Sequence, residues 1–297
     1  MALNESVRPP VGQMVYRRPL QKRPINVLFY AVMVILALAF LFPIVWAVTT
    51  SLKRPPELLV FPPRLLPAVP QWVNYATVFE RVPFLMWAKN TVSVVLLGTL
   101  GQVLSASLAA YAFARFEFKG RNLLFLVTLG TMMLPEQVTL IPQFVLFHKL
   151  GWIDTLKPLW VPAWFGGGAF AIFLMRQFLM QLPRELDEAA IIDGAGAMRI
   201  YWQLLMPLCK PVLATLAVIG LIGRWNDYFG PLIYLSSDKR LTLAVGLTFF
   251  SKIPEGGMPV EHLMMASATM MTLPLILLFF AAQRYFVQGI AMTGLKG

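Results

Sequence analysis

The sequence predicts an all-α membrane protein with six transmembrane helices, and three observations carry that expectation. Of its 297 residues, 58% are hydrophobic and 13% charged, and the mean hydropathy is +0.68, far more apolar than a soluble fold of this size needs for its core. The apolar residues come in runs of roughly 20, the length that crosses a bilayer as a helix with its backbone satisfied internally. The basic residues behind the formal net charge of +11 sit mostly between these runs, where they read as topology signals rather than as a nucleic-acid surface.

Each span follows from the same reasoning. Residues 1–24 form an expected cytoplasmic segment carrying Arg8, Arg17, Arg18, Lys22 and Arg23, and 25–297 form the transmembrane domain. The apolar stretch from Val27 to Val48 is too long for a signal-peptide core, and no small-x-small cleavage site follows it, so it reads as an uncleaved first span. The spans are drawn at 25–52, 88–114, 122–147, 159–180, 211–235 and 263–286. An even number returns the C-terminus to the cytoplasm. Arg115, Lys119, Arg121, Arg176, Arg184, Arg199, Lys210, Arg284 and Lys296 then fall on or near the inside, a modest bias because the outside segments also hold basic residues.

Proline and glycine mark the irregular places. The external segment 53–89 contains Phe61-Pro62-Pro63 and Pro67-Ala68-Val69-Pro70, which predict extended, solvated chain. The third span holds Pro135 and Pro142, and the fourth holds Pro162 and Gly166-Gly167-Gly168, so neither is expected to be a straight helix. Such breaks either line a cavity or serve ordinary kinking and close helix packing. Cys209, His148 and His262 are too isolated for a disulfide or a metal site.

The polar stretch between the fourth and fifth spans is too charged for the membrane and predicts a cytoplasmic helix. Pro183 suits its start, and Glu185, Asp187 and Glu188 put negative charge where the helix dipole favours it. Ala189 and Ala190 are strong helix formers, and Gly194 can end the helix. A second amphipathic turn follows through Met198, Ile200, Tyr201 and Leu204 before Pro207 and Pro211. A short rigid helix, acidic at its start and small on one face, suits docking into a groove of a soluble partner. An amphipathic linker lying on the membrane is the alternative, though such helices usually carry basic residues.

Glu188-Ala189-Ala190, Gly194 and Pro207 resemble the EAA loop of ABC importer permeases, with Leu204 and Met206 as conservative departures from its apolar positions. Asn74-Tyr75, the run Ala109 to Arg115, Pro135 to Pro142, Trp225 to Leu232, and Gln283 to Gly289 extend the resemblance to the carbohydrate type of that family, the second permease of maltose-type transporters. The resemblance implies a coupling role for Arg184, Glu185, Asp187, Glu188, Ala189, Ala190, Asp193 and Gly194, docked in a cleft of an ATPase subunit. It implies as partners a second, different permease in a heterodimer, two ATP-binding subunits and an extracytoplasmic solute-binding protein, in the lipid of a bacterial inner membrane. ATP and Mg are then bound by the ATPase subunits and not by this chain, which has no Gly-rich loop ending in Gly-Lys-Ser/Thr and is not expected to be an enzyme.

A sugar pathway calls for aromatic faces and planar polar groups. Glu136 and Gln137 on the third span and Arg224, Trp225, Asn226, Asp227 and Tyr228 on the fifth are candidates; the alternative is interfacial belt and helix-helix packing. Glu136 and Arg224 both lie roughly 20 Å from the cytoplasmic ends of their spans, at about 1.5 Å per residue. An unpaired charge there is costly, so Arg224 is expected to pair with Glu136, Asp227 or both. Pro254, Glu255, Gly256, Gly257 and Met258, at the tip of external loop 236–261, are the candidate contact for the solute-binding protein. Importers of glycerol phosphate, polyols or other small solutes, and a stand-alone channel or secondary transporter, remain the alternatives.

Overall fold

The computed structural model describes residues 27–252 and 260–293, apart from the side chains of Glu136, Ser251, Lys252, Ala282 and 284–293. Every regular element among them is helical. Two compact units are present, Met1–Ile44 and Val45–Gly297. In the first, helix α1 (Val27–Ser51) runs through Ile44 with its large apolar side chains exposed, Phe40 at 78%, as a lipid-facing helix requires.

The second unit begins at the end of α1. Segment 53–89, expected to be extended and solvated, is irregular and largely exposed at 59–72, where both proline motifs stand, but it also holds α2 (Pro55–Leu58) and α3 (Val73–Arg81) and enters α4 (Phe84–Arg115). The cause is tertiary. Asn74 donates from Nδ2 to the carbonyls of Ser51 (2.8 Å) and Lys53 (3.0 Å), and Tyr75 Oη lies 2.8 Å from Ser51 Oγ, so α3 satisfies the open end of α1.

The 32-residue α4 is the axis of the second unit. Ala106, Ala110 and Ala114 recur at i, i+4 and are buried, allowing close approach of Ala171 and Met175 and of the segment around Ile200–Leu216. Its other half packs with α3, Trp225, Leu243, Phe250, Leu263 and Ala266. Next come α5 (Arg121–Gly130), a 3-10 turn at Thr131–Met133, and α6 (Glu136–Lys149); the halves of this pair are bent by 102°. Leu134 is extended (ψ 119°) because a proline follows it, which is the break that Pro135 predicts.

Helices α7 (Lys157–Trp160) and α8 (Ala169–Gln181) are separated by a 3-10 turn and by Gly166, Gly167 and Gly168, all at positive φ. Gly167 is forced by space as well: a Cβ there would stand 2.4 Å from the Gln102 carbonyl of α4. Then come α9 (Glu185–Ile192), α10 (Ala197–Arg199), a π-helical turn at Ile200–Leu205, α11 (Met206–Leu208) and α12 (Lys210–Trp225). The wide turn precedes Pro207, which has no amide to donate and would crowd the carbonyl four residues back. At Cys209 the chain bends by 79°.

The span expected at 211–235 stops at Trp225, followed by a break and α13 (Phe229–Tyr234). Asn226 and Asp227 cause the stop: Asn226 Nδ2 turns back to the Ile222 carbonyl (2.9 Å), and Asp227 Oδ1 accepts from the Gly230 amide (3.1 Å). The expected external loop from 236 is folded too, with α14 (Leu243–Gly246) and a 3-10 turn at Leu247–Lys252 before α15 (Glu261–Thr293). Trp87 Nε1 donates to the Asp238 carbonyl (2.6 Å), Asn90 Nδ2 to those of Lys239 and Leu241 (2.9 Å each), and Thr91 Oγ1 receives the Leu243 amide (2.9 Å). Among the described residues, four helical stretches are long and apolar enough to cross a membrane, at 27–51, 84–115, 157–181 and 261–281; counting each bent pair as one span raises the number to six.

Candidate functional site

The acidic stretch is helical over Glu185–Ile192. Arg184 occupies the N-cap of α9, and Glu185, Asp187 and Glu188 fill its first turn. Gly194 closes it at φ +78°, its amide bonded to the Ile191 carbonyl (2.9 Å) and the Ala195 amide to that of Ala190 (2.9 Å).

The acidic residues divide by direction. Glu185 and Glu188 face outward with Ala189, Asp193 and Gly194, while Asp187 and Ala190 turn toward the body of the chain. Asp187 Oδ2 lies 2.8 Å from Arg115 Nε at the end of α4, an ionic contact not aligned as a hydrogen bond. Burial raises the Asp187 carboxyl above the ordinary aspartate range, and Arg115 and Arg184 only partly oppose it. Arg115 also donates from Nη2 to the Leu182 carbonyl (3.2 Å), so a single guanidinium holds both the entry to α9 and its first turn.

Further contacts tie this region to α4. Tyr111 Oη donates to the Ala197 carbonyl (3.1 Å), and Ser107 Oγ lies 2.6 Å from Tyr201 Oη. A cavity of about 320 Å³ opens between the elements, lined by Tyr111, Arg115, Asp187, Glu188, Ile191 and Ile200. Sequence reasoning missed Ile191 and Ile192, 62% and 86% exposed, which give the outward face of α9 an apolar pair beside its carboxylates. It also took Arg115 for a topology signal, because no spacing pattern links position 115 to 187.

The candidate pathway residues do not form one cluster. Gln137 and Asn226 are exposed, and Tyr228 is 37% exposed. Trp225 is buried, its Nε1 donating to the Met271 carbonyl of α15 (3.2 Å), so in this conformation it packs helices and presents no free face. The Glu136 side chain and residues Pro254, Glu255, Gly256, Gly257 and Met258 lie outside the described residues. Arg224 and Asp227 act on each other electrostatically but share no hydrogen bond: Arg224 Nη1 donates to Gln102 Oε1 of α4 (2.7 Å) and the Gly220 carbonyl (3.3 Å), while Asp227 closes its own turn. Gly98 and Gly220 make the room, since a Cβ on Gly98 would stand 2.4 Å from Arg224 Nε and one on Gly220 2.7 Å from Gln102 Oε1.

A helical chain with several apolar stretches, broken where prolines and glycines stand, and with an acidic helix lashed to α4, has the features of a polytopic membrane protein. The chain belongs to the family described as binding-protein-dependent transport system inner membrane component, whose profile matches residues 102–292. It is thus a permease of the ABC importer class. It is 32% identical over 267 residues to the trehalose/maltose transport system permease protein of Thermococcus litoralis, covering 89% of this chain and 94% of that protein. It is 33% identical over 276 residues to the sn-glycerol-3-phosphate transport system permease protein of Yersinia enterocolitica, covering 91% and 97%. Against the arabinooligosaccharides transport system permease protein of Bacillus subtilis it is 32% identical over 265 residues, covering 88% and 92%. Among solved structures it resembles a bacterial ABC transporter that imports the acidic polysaccharide alginate, with a TM-score of 0.78 at 25% identity, covering 88% of this chain and 95% of that one.

Proposed function

We propose that the chain is the coupling permease of a carbohydrate importer: it crosses the membrane six times, pairs with a second permease, and receives the ATPase stroke through α9. The observation that carries this reading is the two-sidedness of α9. Its outward face offers Glu185, Glu188, Ile191 and Ile192 to a partner, while Asp187 fastens its inward face to Arg115. Carboxylates fix orientation at such an interface and the apolar pair supplies buried area. ATP and Mg belong to two separate ATP-binding subunits, and an external solute-binding protein delivers the solute, with 254–258 as its candidate contact. Both termini lie in the cytoplasm. Gln137, Asn226 and Tyr228 are the pathway candidates with exposed polar groups.

The test replaces Glu188, an exposed residue, by Lys. Transport by the assembled importer and its solute-stimulated ATP hydrolysis are both expected to fall while the subunit still inserts. Wild-type values for both would refute the coupling role. The likeness to a glycerol-phosphate permease supports a second reading, a small polyol phosphate as solute. Binding assays on the cognate receptor separate the two.

A further inference from the structure

On the side of the chain that carries α9, four guanidiniums meet where α4, α5 and α8 have their ends. Arg115, Arg121, Arg176 and Arg184 surround a cavity of about 110 Å³ together with Phe113 and Met180. That is room for a few waters, each occupying ~30 Å³, or for one tetrahedral oxyanion. The pocket is built rather than incidental. Arg176 donates from Nε to the Phe113 carbonyl (3.3 Å) and lies 4.1 Å over the Phe125 ring, and Arg121 donates from Nη1 to the Phe116 carbonyl (3.1 Å).

The charges do not balance within the chain. Arg115 has Asp187 at 2.8 Å, and Arg184 reaches Glu117 at 4.0 Å through exposed side chains. Among the described residues no carboxylate comes within 4.0 Å of Arg121 or Arg176. The charged neighbour that acts on Arg176 is Arg121, of like sign. Two guanidiniums gathered at one cavity and held by neutral carbonyls leave their remaining N–H groups for an anion, and arginine forks match phosphate oxygens.

We propose that this pocket binds a phosphate oxyanion, carried by the headgroup of an anionic phospholipid. The lipid source follows from the surroundings. Met180 at the rim is 52% exposed, and Leu123, Leu124, Leu126 and Val127 of α5 stand exposed in the turns just beyond Arg121, an apolar surface on which acyl chains can lie. Basic pockets between membrane helices take anionic headgroups for the same reason.

Native mass spectrometry of the detergent-solubilised importer, with phosphatidylglycerol, phosphatidylcholine or inorganic phosphate added, tests the assignment. Wild type is expected to retain phosphatidylglycerol over phosphatidylcholine by about tenfold, equivalent to ~1.4 kcal/mol. Arg121→Gln with Arg176→Gln removes the preference, and the Lys pair keeps most of it. Because Arg176 also packs on Phe125, Arg121→Gln alone provides the variant expected to fold, with a severalfold loss. Displacement of the lipid by millimolar inorganic phosphate supports the oxyanion site with solution phosphate as its source. Equal retention of both lipids by wild type, or a preference untouched by the arginine variants, overturns the proposal.

Discussion

Gly194 shows what a single residue at the end of α9 must do. It holds φ +78°, and among the described residues nothing beyond its own chain neighbours lies within 4 Å of where a Cβ would stand. Within the chain the demand is therefore conformational, and asparagine meets it better than a β-branched residue. Gly194→Asn is expected to transport near the wild-type rate, whereas Gly194→Val, strained by ~1–2 kcal/mol in the left-handed region, loses transport. Equal loss for both in a proteoliposome uptake assay would show that a partner's surface fills the space instead. Asp154 gives a second prediction at this scale. Its carboxylate accepts the Ser237 hydroxyl and the amides of Ser236 (3.1 Å) and Ser237 (3.0 Å), pinning 154 to the turn after α13. The Ser237 hydroxyl is the main cause that holds its pKa down to about 2 from 3.8, against the upward pull of burial. A depressed carboxylate stabilises the fold fully above its unfolded value and loses that contribution as pH falls through the folded value. Amide protection at 236–240, corrected for the intrinsic exchange rate, is thus expected to fall between about pH 4 and 2, and Asp154→Asn to lower it at neutral pH. Protection independent of both would disprove the clasp. The residue types that build α9 were legible in the sequence, since proline, carboxylates, alanines and glycine each act locally. The inward turn of Asp187 was not, because it depends on Arg115, 72 positions earlier in the chain.

Among the elements, α4 and α12 meet through a polar clasp inside an apolar interface. Arg224 lies against Gly98, and its guanidinium reaches Gln102 one turn further along α4. A methyl on Gly98 would displace Arg224 Nε and break that bond, leaving a half-buried amide and a half-buried guanidinium each short of a partner. Losing a hydrogen bond to a charged group costs about 1.5–3 kcal/mol. Gly98→Ala is expected to lower the thermal stability of the solubilised subunit, and Gly98→Ala with Arg224→Ala to regain part of it, because the second change vacates the space. A double variant no better than the sum of its singles would show that the two positions do not share that space. The breaks in the third and fourth spans were readable, because Pro135 and the glycine triplet dictate local backbone geometry. Helix α3 and the folded stretch around α14 were hidden, since they rest on Asn74, Trp87, Asn90 and Thr91 reaching distant carbonyls and amides. The same blindness let proline content suggest an extended loop over all of 53–89, which holds only for the proline-bearing stretch 59–72, and an unbroken fifth span through Asp227.

At the scale of the whole molecule, motion at α9 can move the spans only through the contacts that join them. Among the described residues the Arg115–Asp187 pair is the buried ionic one, with side chains 8% and 15% exposed, whereas Arg184 and Glu117 meet at 4.0 Å through exposed side chains; Arg115 ends the helix on which α8 and α12 pack. Removing one partner of a largely buried pair costs about 3–5 kcal/mol, since the other charge is left uncompensated. Asp187→Asn keeps the shape of the side chain and leaves the neighbouring arginine pocket basic, so it isolates the loss of the pair. It is expected to lower transport more than ATP hydrolysis, the signature of an ATPase stroke no longer transmitted. Arg115→Asp alone should do the same, and joined with Asp187→Arg it should recover part of the transport, because the attraction is restored with its sign reversed. Burial already raises the Asp187 carboxyl, so acidification protonates it more readily than an exposed aspartate, and the transport-to-hydrolysis ratio of the wild type is expected to fall as pH drops toward that raised value. Asp187→Asn, having no proton to gain there, should show a flat ratio over the same range. Singles that transport at the wild-type rate, or a variant whose ratio still falls with acid, would move the mechanical link away from this pair to the Tyr111 and Tyr201 contacts beside it.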